Sequence, residues 1–572
     1  MSFWEKYNYW VENGYFDDET KKELLGIRHN EEEIEDRFYK DLEFGTGGLR
    51  GKIGAGTNRM NKYTVAKTTQ GLANYIIKNS DSQQRRVVIA YDSRYKSDEF
   101  AKIAALVLCT NNIKVYLFED IRSTPELSFA IRYFKANAGI VITASHNPAE
   151  YNGYKAYGSD GGQFLSYEAD KIIEEARKIE DITKISIIEE SKAKELNLLE
   201  IIGKEVDDKY IEEVKKYSLR EDIDKGIKIV YTPLHGTGNI PVRRVLSERG
   251  FKNIYVVKEQ ENPDYKFSTV KYPNPEEKEA FKLAIELGKS IDSDILIGTD
   301  PDCDRVGVVV KDTKGEYISL KGNEIGALLL DYILRERKER GMLSNNSVLI
   351  KTIVTSELGR TIGQSYGVKT IDTLTGFKYI GDKIGEFEET GKFTFEFGYE
   401  ESHGYLPGGY VRDKDGVVTS MLICEMAGYY KSNGMTLHEA VENLYNRFGY
   451  FVDDLYSIKL EGIEGRKKIE DIMNLFRVDY PKDIKNLRLL QVSDYKESKT
   501  YLSNGDVKEI DLPKENVMKF VFEDNSWYAL RPSGTEPKLK IYITGTGKTR
   551  EDAIKKARLI KDIIQAKIKH II

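Results

Sequence analysis

The chain has 572 residues, with 87 Lys and Arg against 93 Asp and Glu and a formal net charge of −6. That length exceeds a single core and points to roughly three to five domains. Evenly spread charge excludes the basic excess that sequence-independent nucleic-acid binding needs, and no apolar run approaches the ~18 residues of a membrane span. The three cysteines, Cys109, Cys303 and Cys424, lie far apart. They show no C-x-x-C spacing, which fits a reducing compartment and no zinc site. Met1-Ser2-Phe3-Trp4-Glu5-Lys6 carries no apolar leader, so the expected location is the cytoplasm, with neither a membrane nor a nucleic acid as partner.

Residues 1–40 read as an acidic helical extension: Trp4, Tyr7, Trp10 and Val11 recur at helical spacing, and Asp17 to Thr20 has the look of a helix start. Phe44 to Gly51 packs four glycines into eight residues and includes Arg50. Such a turn brings backbone amides close to a ligand, and the arginine adds a fixed cation. A helix is expected from Val65 to Ile77 and a strand from Arg86 to Tyr91 that ends at Asp92-Ser93-Arg94. A helix from Glu99 to Leu108 and a strand from Lys114 to Phe118 follow. The small and β-branched run Ala138 to Thr143 then leads into Ala144-Ser145-His146-Asn147-Pro148. Helices alternating with apolar strands predict a mostly parallel α/β layer. Ligands sit at the carboxyl ends of such strands, where Asp92, Arg94 and Ser145 fall.

The alternation restarts twice. The strand Gly226 to Tyr231 leads to His235-Gly236-Thr237-Gly238-Asn239, and, after a helix around Glu276 to Leu287, the strand Ile295 to Gly298 ends in Thr299-Asp300-Pro301-Asp302-Cys303-Asp304-Arg305. A third round runs through Ser347 to Ile353, Val368 to Ile371 and Phe393 to Phe397, ending in Glu400-Glu401-Ser402-His403-Gly404. The three rounds share a pattern without clear sequence identity. From about residue 451 strand signals thin out through 516. The strands Ser526 to Leu530 and Leu539 to Ile543 then flank Arg531-Pro532-Ser533-Gly534-Thr535, and an amphipathic helix begins at Arg550. This last part reads as a smaller α+β domain.

Asp300, Asp302 and Asp304 alternate after a buried strand. In an extended segment alternate side chains share a face, so three carboxylates are expected to converge, at a cost that only a cation relieves. Oxygen-only donors without a nearby His favour Mg²⁺ over zinc. A D-x-D after an apolar strand is also the nucleophile motif of haloacid-dehalogenase-type phosphatases, but Cys303 and Asp304 suit a metal cage better than an aspartyl nucleophile. Arg531, Ser533, Gly534 and Thr535 supply a guanidinium, two hydroxyls and a Gly-bearing backbone, a phosphate cradle held between two strands. Glu400 and Ser402 are suited to reading adjacent sugar hydroxyls. Of the histidines, His146, His235 and His403 fall in these loops.

Taken in order, the Ser145, Asp300–Asp304, Glu400–Ser402 and Arg531–Thr535 motifs resemble those of the α-D-phosphohexomutase superfamily, over essentially the whole chain from Phe44. Phe44 to Arg50, Arg59-Met60-Asn61, Thr68 to Gly71 and the N-terminal extension are similar to its phosphoglucomutase-2-type branch, which includes bacterial phosphoglucomutases and phosphopentomutases. The resemblance implies three similar mixed-sheet α/β domains (41–207, 208–321, 322–450) after the extension 1–40. A C-terminal α+β domain related to the TATA-binding-protein fold (451–572) completes the set around a central cleft. It implies that Ser145 carries the transferable phosphoryl group and joins Asp300, Asp302 and Asp304 in binding Mg²⁺. It places Lys155, Lys378, Arg50 and Arg305 around the reacting centre, with His146 beside Ser145. Glu400 and Ser402 would bind the sugar 3- and 4-hydroxyls, and Arg531, Ser533, Gly534 and Thr535 the non-reacting phosphate. Some members place a His two residues after the sugar-binding Ser; here that position is Gly404, so no catalytic role passes to His403. The implied activity converts glucose 1-phosphate to glucose 6-phosphate through a phosphoserine, with glucose 1,6-bisphosphate as intermediate and activator. Pentose and mannose phosphates, a metal-dependent sugar phosphatase and a non-catalytic sugar-phosphate sensor stand as alternatives, and the expected assembly is a monomer or dimer.

Overall fold

The computed structural model describes the chain apart from residues 43, 46–47, 81–83, 461, 534–537 and 572. It packs into two compact units: Met1–Gly322, Phe377–Gly398 and Ser402–Thr436 form one, and Asn323–Gly376, Tyr399–Glu401 and Leu437–Ile572 the other.

The first unit opens with three short helices, α1 (Phe3–Glu12), α2 (Asp18–Gly26) and α3 (Glu31–Phe38). Ser2, Asp17 and Asn30 cap them, as short polar side chains do at a helix N-terminus. Tyr7, Trp10, Phe16, Leu24, Ile34 and Phe38 from this extension form one apolar cluster with Ala55 and Tyr63. The extension is therefore a packed wall of the first domain.

Seven strands make the first sheet: β1 (Phe44–Gly45), β2 (Gly48–Lys52), β3 (Arg86–Tyr91), β4 (Lys114–Phe118), β5 (Ala138–Ile142), β6 (Tyr151–Gly158) and β7 (Leu199–Ile202), in the spatial order β1-β2-β6-β5-β3-β4-β7. The β5-β3-β4-β7 half is parallel. The β1-β2-β6 half is antiparallel and joins β5 antiparallel. The sheet is thus mixed, because the loop after β5 turns straight back into β6 instead of crossing over through a helix. Its inner parallel strands β3, β4 and β5 are buried on both faces, as a sheet covered by helices requires.

The second sheet has the order β12-β11-β10-β8-β9, from β8 (Lys228–Thr232), β9 (Asn253–Val256), β10 (Ile295–Thr299), β11 (Val306–Lys311) and β12 (Tyr317–Ser319). Again a parallel core, β10-β8-β9, meets an antiparallel return, β10-β11. The loops of interest leave β5 and β10, both at carboxyl ends.

In the second unit β13 (Ser347–Thr352) pairs in parallel with β14 (Lys369–Thr373). In the first unit lie most of β15 (Thr394–Glu400) and all of β16 (Gly404–Leu406), the strands on either side of Glu401–His403.

The C-terminal sheet is built from β17 (Tyr450–Lys459), β18 (Asp483–Ile484), β19 (Leu487–Asp494), β20 (Lys499–Leu502), β21 (Val507–Glu509), β22 (Met518–Phe522), β23 (Trp527–Pro532) and β24 (Lys538–Gly547). Its pairings are antiparallel. Helices Gly462–Val478 and Arg550–Ile568 share one core with it, through Ile472, Phe476, Ile560 and Ile564. The stretch 451–516 holds more strand than its sequence signals. The ten-residue β17 pairs along its whole length with β24, yet eight of its ten positions are partly buried or exposed, so it lacks an apolar run.

Candidate active site

Strand β5 delivers Ser145 to a buried turn. Ser145 adopts φ 50°, the left-handed region, and is 3% exposed. Its N–H donates to Thr143 Oγ1 at 2.8 Å, and the Thr143 hydroxyl donates to Asp92 Oδ2 at 2.6 Å. Its own hydroxyl donates to Asp300 Oδ2 at 2.7 Å and lies 3.1 Å from His146 Nδ1.

Asp300, Asp302 and Asp304 are all buried, and one oxygen from each lies within 4.8 Å of the others. The carboxylates do converge, but not along an extended segment. The chain turns between Asp300 and Cys303, with Cys303 N–H donating to the Asp300 carbonyl at 2.9 Å and Cys303 at φ 55°. Asp300 Oδ1 then accepts the Asp304 and Arg305 N–H groups at 3.1 and 3.0 Å. The first carboxylate thereby caps the turn that gathers the other two.

Two lysines face this cluster. Lys155, opposite Val141 in β6, reaches Asp302 Oδ2 at 2.7 Å and Asp304 Oδ2 at 3.3 Å. Lys414 Nζ lies 3.2 Å from Asp304 Oδ2 and 3.1 Å from Asp413 Oδ1. Thr124, at the start of the helix Thr124–Tyr133, donates its hydroxyl to Asp302 Oδ2 at 2.9 Å and its N–H to the Asp302 carbonyl at 2.9 Å.

Burial, and then the charges of Asp302 and Asp304, push the Asp300 carboxyl well above its ordinary range. Burial acts the same way on Asp304, but Lys414, Lys155 and Arg305 hold it well below that range. Burial, then Arg305 and Arg50, drive His146 well below the usual imidazole value, so it is neutral.

The other expected residues are placed as follows. Arg50 Nη1 donates to Asn147 Oδ1 at 3.1 Å, beside Ser145. Arg305 is bound through Nη1 to Glu276. Lys378 Nζ donates to Ser166 Oγ at 3.0 Å and lines a cavity of about 580 Å³ with Asp160, Glu168 and Asp382. None of Ser145, Asp300, Asp302 and Asp304 lines that cavity. Glu400 Oε1 accepts the Gly376 N–H at 2.9 Å. Ser402 is half-buried. His403 Nδ1 donates to the Val306 carbonyl at 3.2 Å, so this ring nitrogen is spent on the backbone. Arg531 Nε donates to Glu515 Oε1 at 2.9 Å, and Ser533 N–H to the Lys538 carbonyl at 2.7 Å. Gly534 and Thr535 lie outside the described residues.

The chain matches four family models in succession. These are phosphoglucomutase/phosphomannomutase alpha/beta/alpha domain I over residues 41–183, domain II over 208–315, domain III over 321–448 and the C-terminal domain over 476–560. It is 39% identical over 539 residues to a phosphoglucomutase of Staphylococcus epidermidis, covering 94% of this chain and 96% of that one. It is 40% identical over 515 residues to a phosphoglucomutase of Staphylococcus haemolyticus, covering 89% and 91%. The chain belongs to the phosphoglucomutase/phosphomannomutase family. Solved structures share its fold. The open form of parafusin, a phosphoglucomutase from Paramecium, has TM-score 0.69 at 18% identity over 93% of this chain and 95% of that one. A phosphoglucomutase/phosphomannomutase family protein from Burkholderia thailandensis has TM-score 0.64 at 17% identity, over 91% and 97%.

This family member has a donor set that fits a hard divalent cation. Asp302 Oδ1 and Asp304 Oδ1 are buried without a hydrogen-bond partner. All the donors are oxygens, as such ions prefer.

Sequence reasoning missed Lys414 and Thr124. Lys414 sits in the charged run Arg412-Asp413-Lys414-Asp415, which reads as a surface loop. No sequence signal marks it; in the structure a Cβ at Gly404 would come within 2.1 Å of Lys414 Cδ, so the glycine makes room for the lysine stem.

Proposed function

We propose that this protein is a phosphoglucomutase. It interconverts glucose 1-phosphate and glucose 6-phosphate through a phosphorylated Ser145 and a glucose 1,6-bisphosphate intermediate. The observation that carries this reading is the 2.7 Å bond from the Ser145 hydroxyl to Asp300, inside a buried triad of carboxylates. A lone serine hydroxyl is a poor nucleophile; placed here, it serves as a carrier of phosphate.

In the forward cycle the Oγ–P bond of phosphoserine breaks as a bond forms from phosphorus to the sugar's free hydroxyl oxygen, and the proton of that hydroxyl ends on Ser145 Oγ. In the second transfer the bond from the bisphosphate's other phosphorus to its sugar oxygen breaks as Ser145 Oγ bonds that phosphorus, and the serine proton ends on the sugar oxygen released. Asp300, Asp302 and Asp304 would hold Mg²⁺, which when bound offsets the phosphoserine charge of about −2 and polarises the transferring group. Lys155 and Lys414 add positive charge at the same place, and Arg50 and Arg305 flank it. Neutral His146 offers a hydrogen-bond partner to Ser145 Oγ. Glu400 and Ser402 would read the sugar 3- and 4-hydroxyls, and Arg531 and Ser533, with Gly534 and Thr535, would take the phosphate that is not reacting. Lys378 would join the site from its place on Ser166. We place the domain boundaries at 40/41, 207/208, 321/322 and 450/451.

The test is turnover by Ser145→Ala alongside wild type, on glucose 1-phosphate, mannose 1-phosphate and ribose 1-phosphate, with inorganic phosphate measured. The expected result is no mutase activity in the variant and the highest wild-type kcat/KM on glucose 1-phosphate. Mutase activity retained by Ser145→Ala overturns the serine's role. Inorganic phosphate as the main product makes the protein a phosphatase.

A further inference from the structure

The reading above leaves unused one cation, Arg94, whose side chain is 0% exposed and lies 3.3 Å from Asp92 Oδ2 through Nε. Its guanidinium is stacked 4.9 Å from the Phe267 ring centroid. Nη2 donates to the carbonyls of Ser145 and Asn147, each at 2.5 Å. Nη1 donates to the carbonyls of Pro148 and Tyr151 at 2.8 and 3.0 Å. Four carbonyls across a seven-residue turn therefore converge on one planar fork.

The partner carboxylate closes the circuit. Asp92 Oδ1 accepts the Arg94 N–H at 3.0 Å and the Ser97 hydroxyl at 2.8 Å. Asp92 Oδ2 accepts the Thr143 hydroxyl, whose oxygen accepts the Ser145 N–H. The Ser145 N–H is thus tied through Thr143 to Asp92, and the Ser145 carbonyl directly to Arg94. Both ends of a residue held at φ 50° are fixed by one buried ion pair.

We propose that Arg94 is the positioning residue of the phosphoryl-carrying turn, acting with Asp92 and Thr143 to hold Ser145 Oγ in register with the carboxylate triad. This rests on Ser145 being the carrier. Arg94 touches neither substrate nor the transferring group; it acts through the backbone of Ser145. A left-handed serine relaxes out of that conformation unless the surroundings over-determine it, and a shift of about 1 Å at a reacting atom costs on the order of 100-fold in rate. Lysine replaces the fork only in part, because a single ammonium with three donors does not span four carbonyls in one plane.

The test is steady-state kinetics on glucose 1-phosphate for Arg94→Met, Arg94→Lys and Thr143→Val, with the phosphoryl content of Ser145 read by intact mass after treatment with glucose 1,6-bisphosphate. The expected result is a kcat about 100-fold lower in Arg94→Met, with KM and the Mg²⁺ dependence near wild type. Arg94→Lys should recover part of the loss. Thr143→Val should fall in between, since it keeps the side-chain shape and deletes only the link from Asp92 to the Ser145 N–H. A folded Arg94→Met or Thr143→Val with wild-type kcat overturns the proposal, as does a KM that rises while kcat holds. If Arg94→Met does not fold, Thr143→Val decides on the same criterion. Wild type that takes up no phosphoryl group on Ser145 defeats the proposed function instead, which separates the two failures.

Discussion

Ser145 Oγ donates to Asp300 Oδ2 at 2.7 Å across 155 residues of chain. Each partner sits just past the carboxyl end of a buried strand, β5 for the serine and β10 for the aspartate. Two separate sheets are therefore assembled so that their strand ends meet. Lys155 and Lys414 stand against the other two carboxylates, Asp302 and Asp304.

Chelation of divalent ions should abolish turnover while leaving the fold intact, since the two ammonium groups compensate much of the buried negative charge. Added Mg²⁺ should restore activity, and Asp302→Asn should need at least about 10-fold more of it, as losing a ligand outweighs typical second-sphere effects. Activity against Mg²⁺ concentration, with far-ultraviolet circular dichroism of the chelated protein, checks both parts. Wild-type Mg²⁺ dependence in Asp302→Asn would remove the triad from metal binding.

Gly404→Ala should cost activity with little loss of stability. The added Cβ meets only the flexible stem of Lys414, at 2.1 Å from Cδ, so the lysine yields and its ammonium leaves Asp304. We expect kcat to fall, by less than the roughly 100-fold that losing a donor in direct contact with the transition state costs. Lys414→Met should behave alike, and the double variant should be no worse than either single one, because both remove the same contact. Additive losses in that cycle would disprove the link.

Asp17 caps α2 by accepting the Thr20 N–H at 2.7 Å and pairs with Lys62. Burial acts to raise its pKa, but the bonds from Lys62 and Thr20 bring it down to about 2. A depressed carboxyl pKa stabilises the fold above its unfolded value, near pH 4, and that gain is lost as pH falls through the folded value. Asparagine keeps the cap and removes the ion pair, so Asp17→Asn should cost less than about 1 kcal/mol near pH 7, given that the pair is solvent-screened. The difference in thermal midpoint between the two proteins should shrink as the pH drops from about 4 toward 2. A gap that is constant or widens over that range would count against the ion pair as its source.

Most of the framework was legible because its strands are buried on both faces. Arg86–Tyr91 and Lys114–Phe118 appear with the bounds their apolar runs suggest. Ser145 and the Asp300 triad were visible as polar turns after such runs. The geometry that gathers the triad was not: an i, i+2 pattern suggests extended backbone, whereas Cys303 is left-handed and its neighbours wrap around the Asp300 carboxylate. That fold-back depends on side-chain acceptors, which periodicity does not register.

Contributions from distant chain segments were harder still. Lys414 lies 110 positions after Asp304 in the chain, in a run with the polarity of any exposed loop, and only tertiary packing buries it. Arg94 stood out as a strand-end cation, yet its four carbonyl partners are backbone atoms with no sequence signature. Strand β17 escaped notice for a simpler reason: much of one face is exposed, so it lacks the apolar run that marked the buried strands.

The left-handed backbone of Ser145 also restricts which hydroxyl can carry phosphate. Threonine offers the same nucleophilic oxygen and the same phosphate ester, but its β-branch makes φ near 50° a true outlier. Ser145→Thr should therefore keep the hydroxyl and still lose at least about 10-fold in kcat, because relieving the clash turns the oxygen away from Asp300. A threonine variant that matches wild type would show that the turn is pliable. Otherwise this turn sets serine and threonine apart by backbone shape alone, and an exchange that is chemically neutral becomes a mechanical fault.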